Sequence, residues 1–176
     1  MRYYAGIGSR STPLGICAEM TMLAHALANQ GYVLRSGHAD GADMAFEQGA
    51  LYGKREIFIP WHKFNGADSK MHFEYIVPNL KDEWIQESVD KYHPAPHNLT
   101  DGARRLMGRN ACQILGLHGV TPVDFVICWT NSAGLNGGTS QAMRIAMDHK
   151  IPIMNMAHEQ FNTAKKILAI LEKAKQ

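Results

Sequence analysis

Apolar positions fall into short continuous runs separated by stretches with helical spacing. Residues 2–7 form such a run and read as a strand that stops at Gly8. Ser11-Thr12-Pro13 then supplies an N-cap and a proline pre-set for a first helical turn. Ile16, Met20, Leu23, Ala24 and Leu27 follow at spacings of three and four, one buried helix face, and Gly31 fits its C-terminal cap. Residues 32–35 predict a second strand ended by Ser36-Gly37. A helix over about 41–51 follows, then a third strand at 57–59 ended by Pro60. This rhythm argues for an α/β fold, a doubly wound parallel sheet with helices on both faces.

The pattern breaks from Trp61 to about Asn98, a polar and aromatic stretch with several prolines and histidines. It reads as an insertion, taken here as about 61–103 in a single domain spanning 1–176, with one helix near 82–92. Leu99-Thr100 supplies a hydrophobic staple residue and an N-cap. Leu106, Met107, Ile114 and Leu115 carry a buried helix face to Gly116. Residues 124–129 (DFVICW) are the most apolar strand, long enough to be central and covered on both sides. A glycine-rich loop, a helix at about 140–149, a strand at 151–156 and a helix over 160–173 complete the expected elements.

Composition narrows the function classes. The chain has 176 residues, 45% hydrophobic and 19% charged, so it can bury a full core without disulfides or metals. Its net charge of +2 is too balanced to point to a nucleic-acid or membrane partner by bulk electrostatics. No apolar run approaches the roughly 18 residues of a membrane span, and the opening residues predict no secretory leader. Cys17, Cys112 and Cys128 share no metal or redox spacing and fit a reducing cytoplasm.

Ligands in such sheets bind beyond the carboxyl ends of the strands, where strand order reverses. Three loops there are rich in Gly and hydroxyl residues, and each opens a helix: Gly6-Ile7-Gly8-Ser9-Arg10-Ser11, Ser36-Gly37-His38-Ala39-Asp40-Gly41-Ala42-Asp43 and Asn136-Gly137-Gly138-Thr139-Ser140. Gly permits close backbone approach, and free N–H groups at a helix start favour an anion. Arg10 can add a bidentate phosphate contact. Asp40 or Asp43 can accept from ribose hydroxyls, or simply support the turn and helix start. Asp43 and Glu47 are candidate catalytic carboxylates. Arg104, Arg105 and Arg109 lie at helical spacing and can form an anion-binding edge. Trp61, His62 and Phe64 can stack on a base or serve as core. His93 and His97 are separated by two prolines and lack a third ligand, so no metal is expected.

Together GIGSR, SGHADGAD, the Pro after the third strand and GGTSQA resemble the SLOG superfamily, which includes the Rossmann-like domain of DNA-processing protein A and the LOG-type phosphoribohydrolases. RRLMGRNACQILG is similar to the Arg-Asn segment of the former, and the small stand-alone proteins of that type often found in phage and prophage genomes are the nearest in kind. The resemblance implies a Rossmann-like sheet ordered 3-2-1-4-5, a homo-oligomer and a nucleotide-derived ligand with no further cofactor. The implied ligand site comprises Ser9, Arg10, Ser36, Gly37, Asp40, Asp43, Gly137, Gly138 and Thr139, and Gly8, His38, Trp61, Arg109 and Asn110 join them as candidate ligand contacts. The chain departs from the hydrolases where their PGG-x-GT-x-x-E glutamate falls, on Arg144 or on Ala142, neither of which is a carboxylate. His38 stands where the family often has a second Gly. The expected function is therefore binding of a nucleotide or nucleotide-like signal, as a way of sequestering it. The alternatives are a phosphoribohydrolase that uses Asp43 or Glu47, and a single-stranded DNA-binding module.

Overall fold

The computed structural model describes residues 1–131 and 138–158. The helix expected over 160–173, and Asn136 and Gly137 of the third loop, lie outside the described residues. The strands are β1 (Arg2–Gly8), β2 (Tyr32–Ser36), β3 (Arg55–Phe58), β4 (Tyr75–Ile76), β5 (Phe125–Trp129) and β6 (Ile153–Asn155). The helices are α1 (Leu14–Asn29), α2 (Ala42–Gly49), α3 (Glu83–Tyr92), α4 (Asp101–Leu115) and α5 (Gly138–Asp148). All strand pairings are parallel, in the order β4-β3-β2-β1-β5-β6. The five expected strands thus stand in the Rossmann-like order. The two-residue β4, contributed by the insertion, adds a sixth strand at the edge.

Alternation along the strands explains the two helical layers. In β1, Tyr4 joins one buried cluster and Ala5 and Ile7 the other. In β5, Phe125 and Ile127 face the first, Val126 and Cys128 the second. The first cluster takes Met20, Ala24 and Leu27 from α1 and Ala42, Ala45 and Phe46 from α2. The second takes Ala111, Ile114 and Leu115 from α4 and Ala142, Ile145 and Ala146 from α5. Each large apolar side chain so buried contributes roughly 1.5–3 kcal/mol relative to exposure. Both faces are therefore covered, as a parallel sheet requires.

Two local expectations are corrected. Ser11 and Thr12 do not cap α1, whose first turn follows Pro13 without a side-chain cap bond. Thr12 Oγ1 instead donates to the Ser9 carbonyl at 2.6 Å, and the Ser11 N–H donates to Ser9 Oγ at 3.1 Å, folding the loop back on itself. The arginines of α4 do not share an anion-binding edge. Arg104 bonds Gln86 and Asp90, Arg105 lies 4.0 Å from Asp101, and Arg109 turns inward to Asp43. Burial pushes the thiols of Cys112 and Cys128 up to about 12, which fits small buried hydrophobes.

Candidate functional site

Strand order reverses between β1 and β5. The chain moves outward from β1 through β2 and β3, then returns after the insertion to place β5 on the other side of β1. At that switch point, beyond the carboxyl ends of both strands, lies a cleft of about 560 Å³. Gly8, Ser9, Arg10 and Ser11 form one wall, and Trp129, Thr130 and Asn131 of the neighbouring strand end form another. Asp43 from α2 and Leu106, Met107, Arg109, Asn110 and Gln113 from α4 supply the inner surface. Gly138, Thr139 and Ala142 bring in the start of α5.

Glycines set how closely these pieces approach. A Cβ on Gly8 would lie 2.6 Å from Ala42 Cβ and 2.8 Å from the Trp129 carbonyl oxygen. Gly41 takes φ +80°, and a Cβ there would sit 2.5 Å from the Ser9 carbonyl oxygen. The first two loops are thereby packed backbone on backbone, and the Ser9 N–H donates to the Trp129 carbonyl at 2.9 Å.

Beneath the loops runs a buried polar network. Arg109 Nη1 lies 3.4 Å from Asp43 Oδ2, and Asp43 Oδ1 accepts from the Gly8 N–H at 3.2 Å. Burial pushes the Asp43 carboxyl up, while Arg109 and the N–H groups of Ala39 and Gly8 oppose that shift. Burial also pulls Arg109 down, yet a guanidinium starts so high that it stays charged. The Gln113 amide, with its oxygen turned to the donors, accepts from Gly37 N–H at 2.9 Å and Arg109 Nη1 at 2.7 Å, and donates to Asn110 Oδ1 at 3.2 Å. Asn110 Nδ2 donates onward to the Gly138 carbonyl at 3.1 Å and Gln141 Oε1 at 3.2 Å. Arg109 Nε and Gln141 Nε2 are buried donors with no acceptor. Both atoms are shut off from the cleft surface, so they are orphaned donors of the network itself.

The structure brings together Gly8, Ser9, Arg10, Asp43, Arg109, Asn110, Gly138 and Thr139 on the cleft. Other expected site residues stand apart. Ser36 Oγ donates to the Gly6 carbonyl at 2.6 Å inside the sheet. Gly37 lies behind Arg109, where a Cβ would fall 1.6 Å from Nη1, so its glycine serves the arginine's seat. Asp40 is exposed and outside the lining. His38 adopts φ +57° and turns away to Glu47, with Nδ1 2.8 Å from Oε2. Glu47 is buried and also accepts from Tyr75 Oη at 2.7 Å, so it too stands outside the cleft. Trp61 is outside the lining, although its neighbour Phe64 packs beneath Arg109. Gln113, Met107, Leu106 and the 129–131 strand end were not anticipated. Their signal was present, since Gln113 is a polar residue on the apolar face of α4, four positions beyond Arg109.

No group of three side chains able to hold a metal ion occurs among the described residues. No helix among them is long and apolar enough to cross a membrane. No family model matches the sequence, and no curated protein matches it. Among solved structures, the chain is similar to DNA processing protein A from Helicobacter pylori. The TM-score is 0.56 and the identity 23%, covering 98% of this chain and 73% of that one. That structure was determined for its single-stranded DNA binding mode. At this identity the likeness shows a DNA processing protein A-like fold.

Proposed function

We propose that the cleft seats a nucleotide of a single-stranded DNA chain, with a phosphate held by the Ser9–Arg10 loop and the start of α5. The observation that carries this is the convergence of backbone turns and the cationic Arg10 on one cleft at the switch point of the sheet. The similarly folded DNA processing protein A, which binds single-stranded DNA, adds support. Arg10 is the one cation of the described cleft lining outside an ion pair, so few phosphates are neutralised there. Binding of a fluorescently labelled oligothymidylate is therefore expected to weaken gently with salt. Each phosphate contact contributes a slope of about −0.7 in log K against log salt. Arg10→Ala is expected to weaken binding and to reduce the slope by about 0.7. Absence of binding by folded protein at low salt, or an Arg10→Ala variant with unchanged affinity and slope, would overturn the reading.

A second reading, capture of a free nucleotide or nucleotide-derived signal, is favoured by the cleft's size, about 560 Å³. Among the described lining residues, Arg10 is the one cation outside an ion pair. Calorimetry with mononucleotides and cyclic or ADP-ribose-type compounds separates the two, since a free nucleotide that binds more tightly than the oligonucleotide selects the second. Glycosidic cleavage has less support. Asp43 is the one carboxylate among the lining residues and is engaged by Gly8 and Arg109, and the α5 positions matched to the hydrolase glutamate carry Ala142 and Arg144.

A further inference from the structure

We infer that Trp61 is a stacking platform for a second base of the strand, next along from the nucleotide in the cleft. The inference rests on the nucleic-acid reading above and extends it to a ligand of at least two nucleotides.

Trp61 is 38% exposed and follows β3 at the carboxyl edge of the sheet, the edge on which the cleft opens. Its ring meets the buried Phe64 ring edge-on, with centroids 5.4 Å apart and planes at 84°. The Arg109 guanidinium carbon lies 5.8 Å from the centroid of the same Phe64 ring. Trp61 is thus two contacts removed from a cleft-lining arginine. Phe64 touches both, and Trp61 is not among the residues lining the cleft, so a base resting on the indole is not the base of the nucleotide in the cleft.

An isolated exposed aromatic is ordinary on a protein surface, but this one is held on a stiff support. The turn beneath it carries two non-glycine residues in the left-handed region, Lys63 at φ 64° and Asn65 at φ 47°. Phe64 N–H donates to the Trp61 carbonyl at 3.2 Å, and Lys63 N–H to the Ala67 carbonyl at 3.0 Å. Asn65 Nδ2 donates to the His38 carbonyl at 3.1 Å and so ties the turn to the loop after β2. His62 is anchored sideways to Ser69 at 3.0 Å. Lys63, two residues on in the same turn, is exposed and offers a cation to a linking phosphate. Aromatic face, rigid turn and adjacent cation are what a sequence-tolerant single-strand subsite needs.

The test compares ten-residue oligothymidylate with thymidine monophosphate, on wild type, Trp61→Ala and Trp61→Phe, all checked for folding. Stacking on one aromatic ring is worth roughly 5- to 150-fold in affinity. Trp61→Ala should lose that factor for the oligonucleotide and none for the mononucleotide, whereas Trp61→Phe should retain most of it. Wild-type oligonucleotide affinity in Trp61→Ala, with Arg10→Ala still impaired, would sink the platform and leave the cleft reading intact. Equal losses for both ligands would also sink it, because Trp61 would then only support the cleft. If wild type binds no oligonucleotide, the nucleic-acid reading fails and the platform with it.

Discussion

At the scale of single residues, the pair that decides most is Asp43 with Arg109. Both are buried, at 3% and 5% exposure, so each carries a large desolvation cost, offset by the other and by the Gly8 and Ala39 N–H groups at Asp43 and the Gln113 amide oxygen at Arg109. Arg109 also positions Gly37, Gln113 and Phe64 around it. Removing one partner strands the other. Asp43→Ala is expected to destabilise the fold by about 3–5 kcal/mol in chemical denaturation, and Arg109→Ala by a similar amount. Replacing both with apolar residues of matching size should recover much of that loss, because no unpaired charge remains. A double variant no more stable than the worse single one would show that the pair's value lies in packing. Ligand binding should not return in the double variant, since Arg109 and Asp43 both line the cleft.

Among the elements, legibility followed the strength of the local signal. Helix α4 was announced by Thr100 and ended by Gly116. In the structure Thr100 Oγ1 accepts from the Ala103 N–H at 3.3 Å, and Gly116 takes φ +79°. That cap is long, so Thr100→Ala should cost about 0.5–1 kcal/mol, with Thr100→Ser close to wild type, measured by thermal or urea unfolding. Strands β2 and β5 are readable because a strand buried on both faces is nearly continuously apolar, and β1, β3 and β6 because each carries a short apolar run bounded by Gly, Pro or polar residues. Strand β4 is not, since two residues carry no periodicity and Tyr75–Ile76 pairs only because the insertion returns to β3. Arg35 is the one charged residue of the strand predicted over 32–35. It is 2% exposed, bonded to Glu56 and Thr121 and stacked 3.8 Å from the Tyr3 ring, an arrangement built from residues distant in the chain. The candidate site divides the same way. Glycine-bearing loops betray close approach locally, whereas the partners of His38, Glu47 and Gln113 depend on which helix the fold sets beside them.

Across the whole molecule, a buried polar junction helps join the insertion to the ligand edge of the sheet. Glu47 of α2 receives His38 from the loop after β2 on one oxygen and Tyr75 from β4 on the other, and the His38 and Tyr75 rings meet edge-on at 5.1 Å. The hydrogen bond to Glu47 raises the His38 pKa, burial lowers it, and the charges of Glu47 and Asp43 raise it further, for a net shift upward. Tyr75 is pushed up to about 12, chiefly by burial, so it stays neutral throughout the working range. A raised histidine means that the folded state holds its proton more tightly than the unfolded chain. The resulting stabilisation is complete below the ordinary histidine value of about 6.5 and is lost as pH rises through the higher folded-state value. Urea unfolding from about pH 6 to 9 should therefore show stability falling with pH, and His38→Gln should flatten that fall. Glu47→Gln should bring the His38 titration, followed by NMR of its ring protons, down toward the ordinary value. Amide exchange around 61–76 should quicken over the same rise in pH in wild type and lose its pH step in His38→Gln, once the intrinsic pH dependence of exchange is removed. Unaltered protection of that segment through the His38 titration would mean that the insertion is held by its apolar contacts, Phe64 and Ala67 in the core, and that the junction only orients the loop after β2.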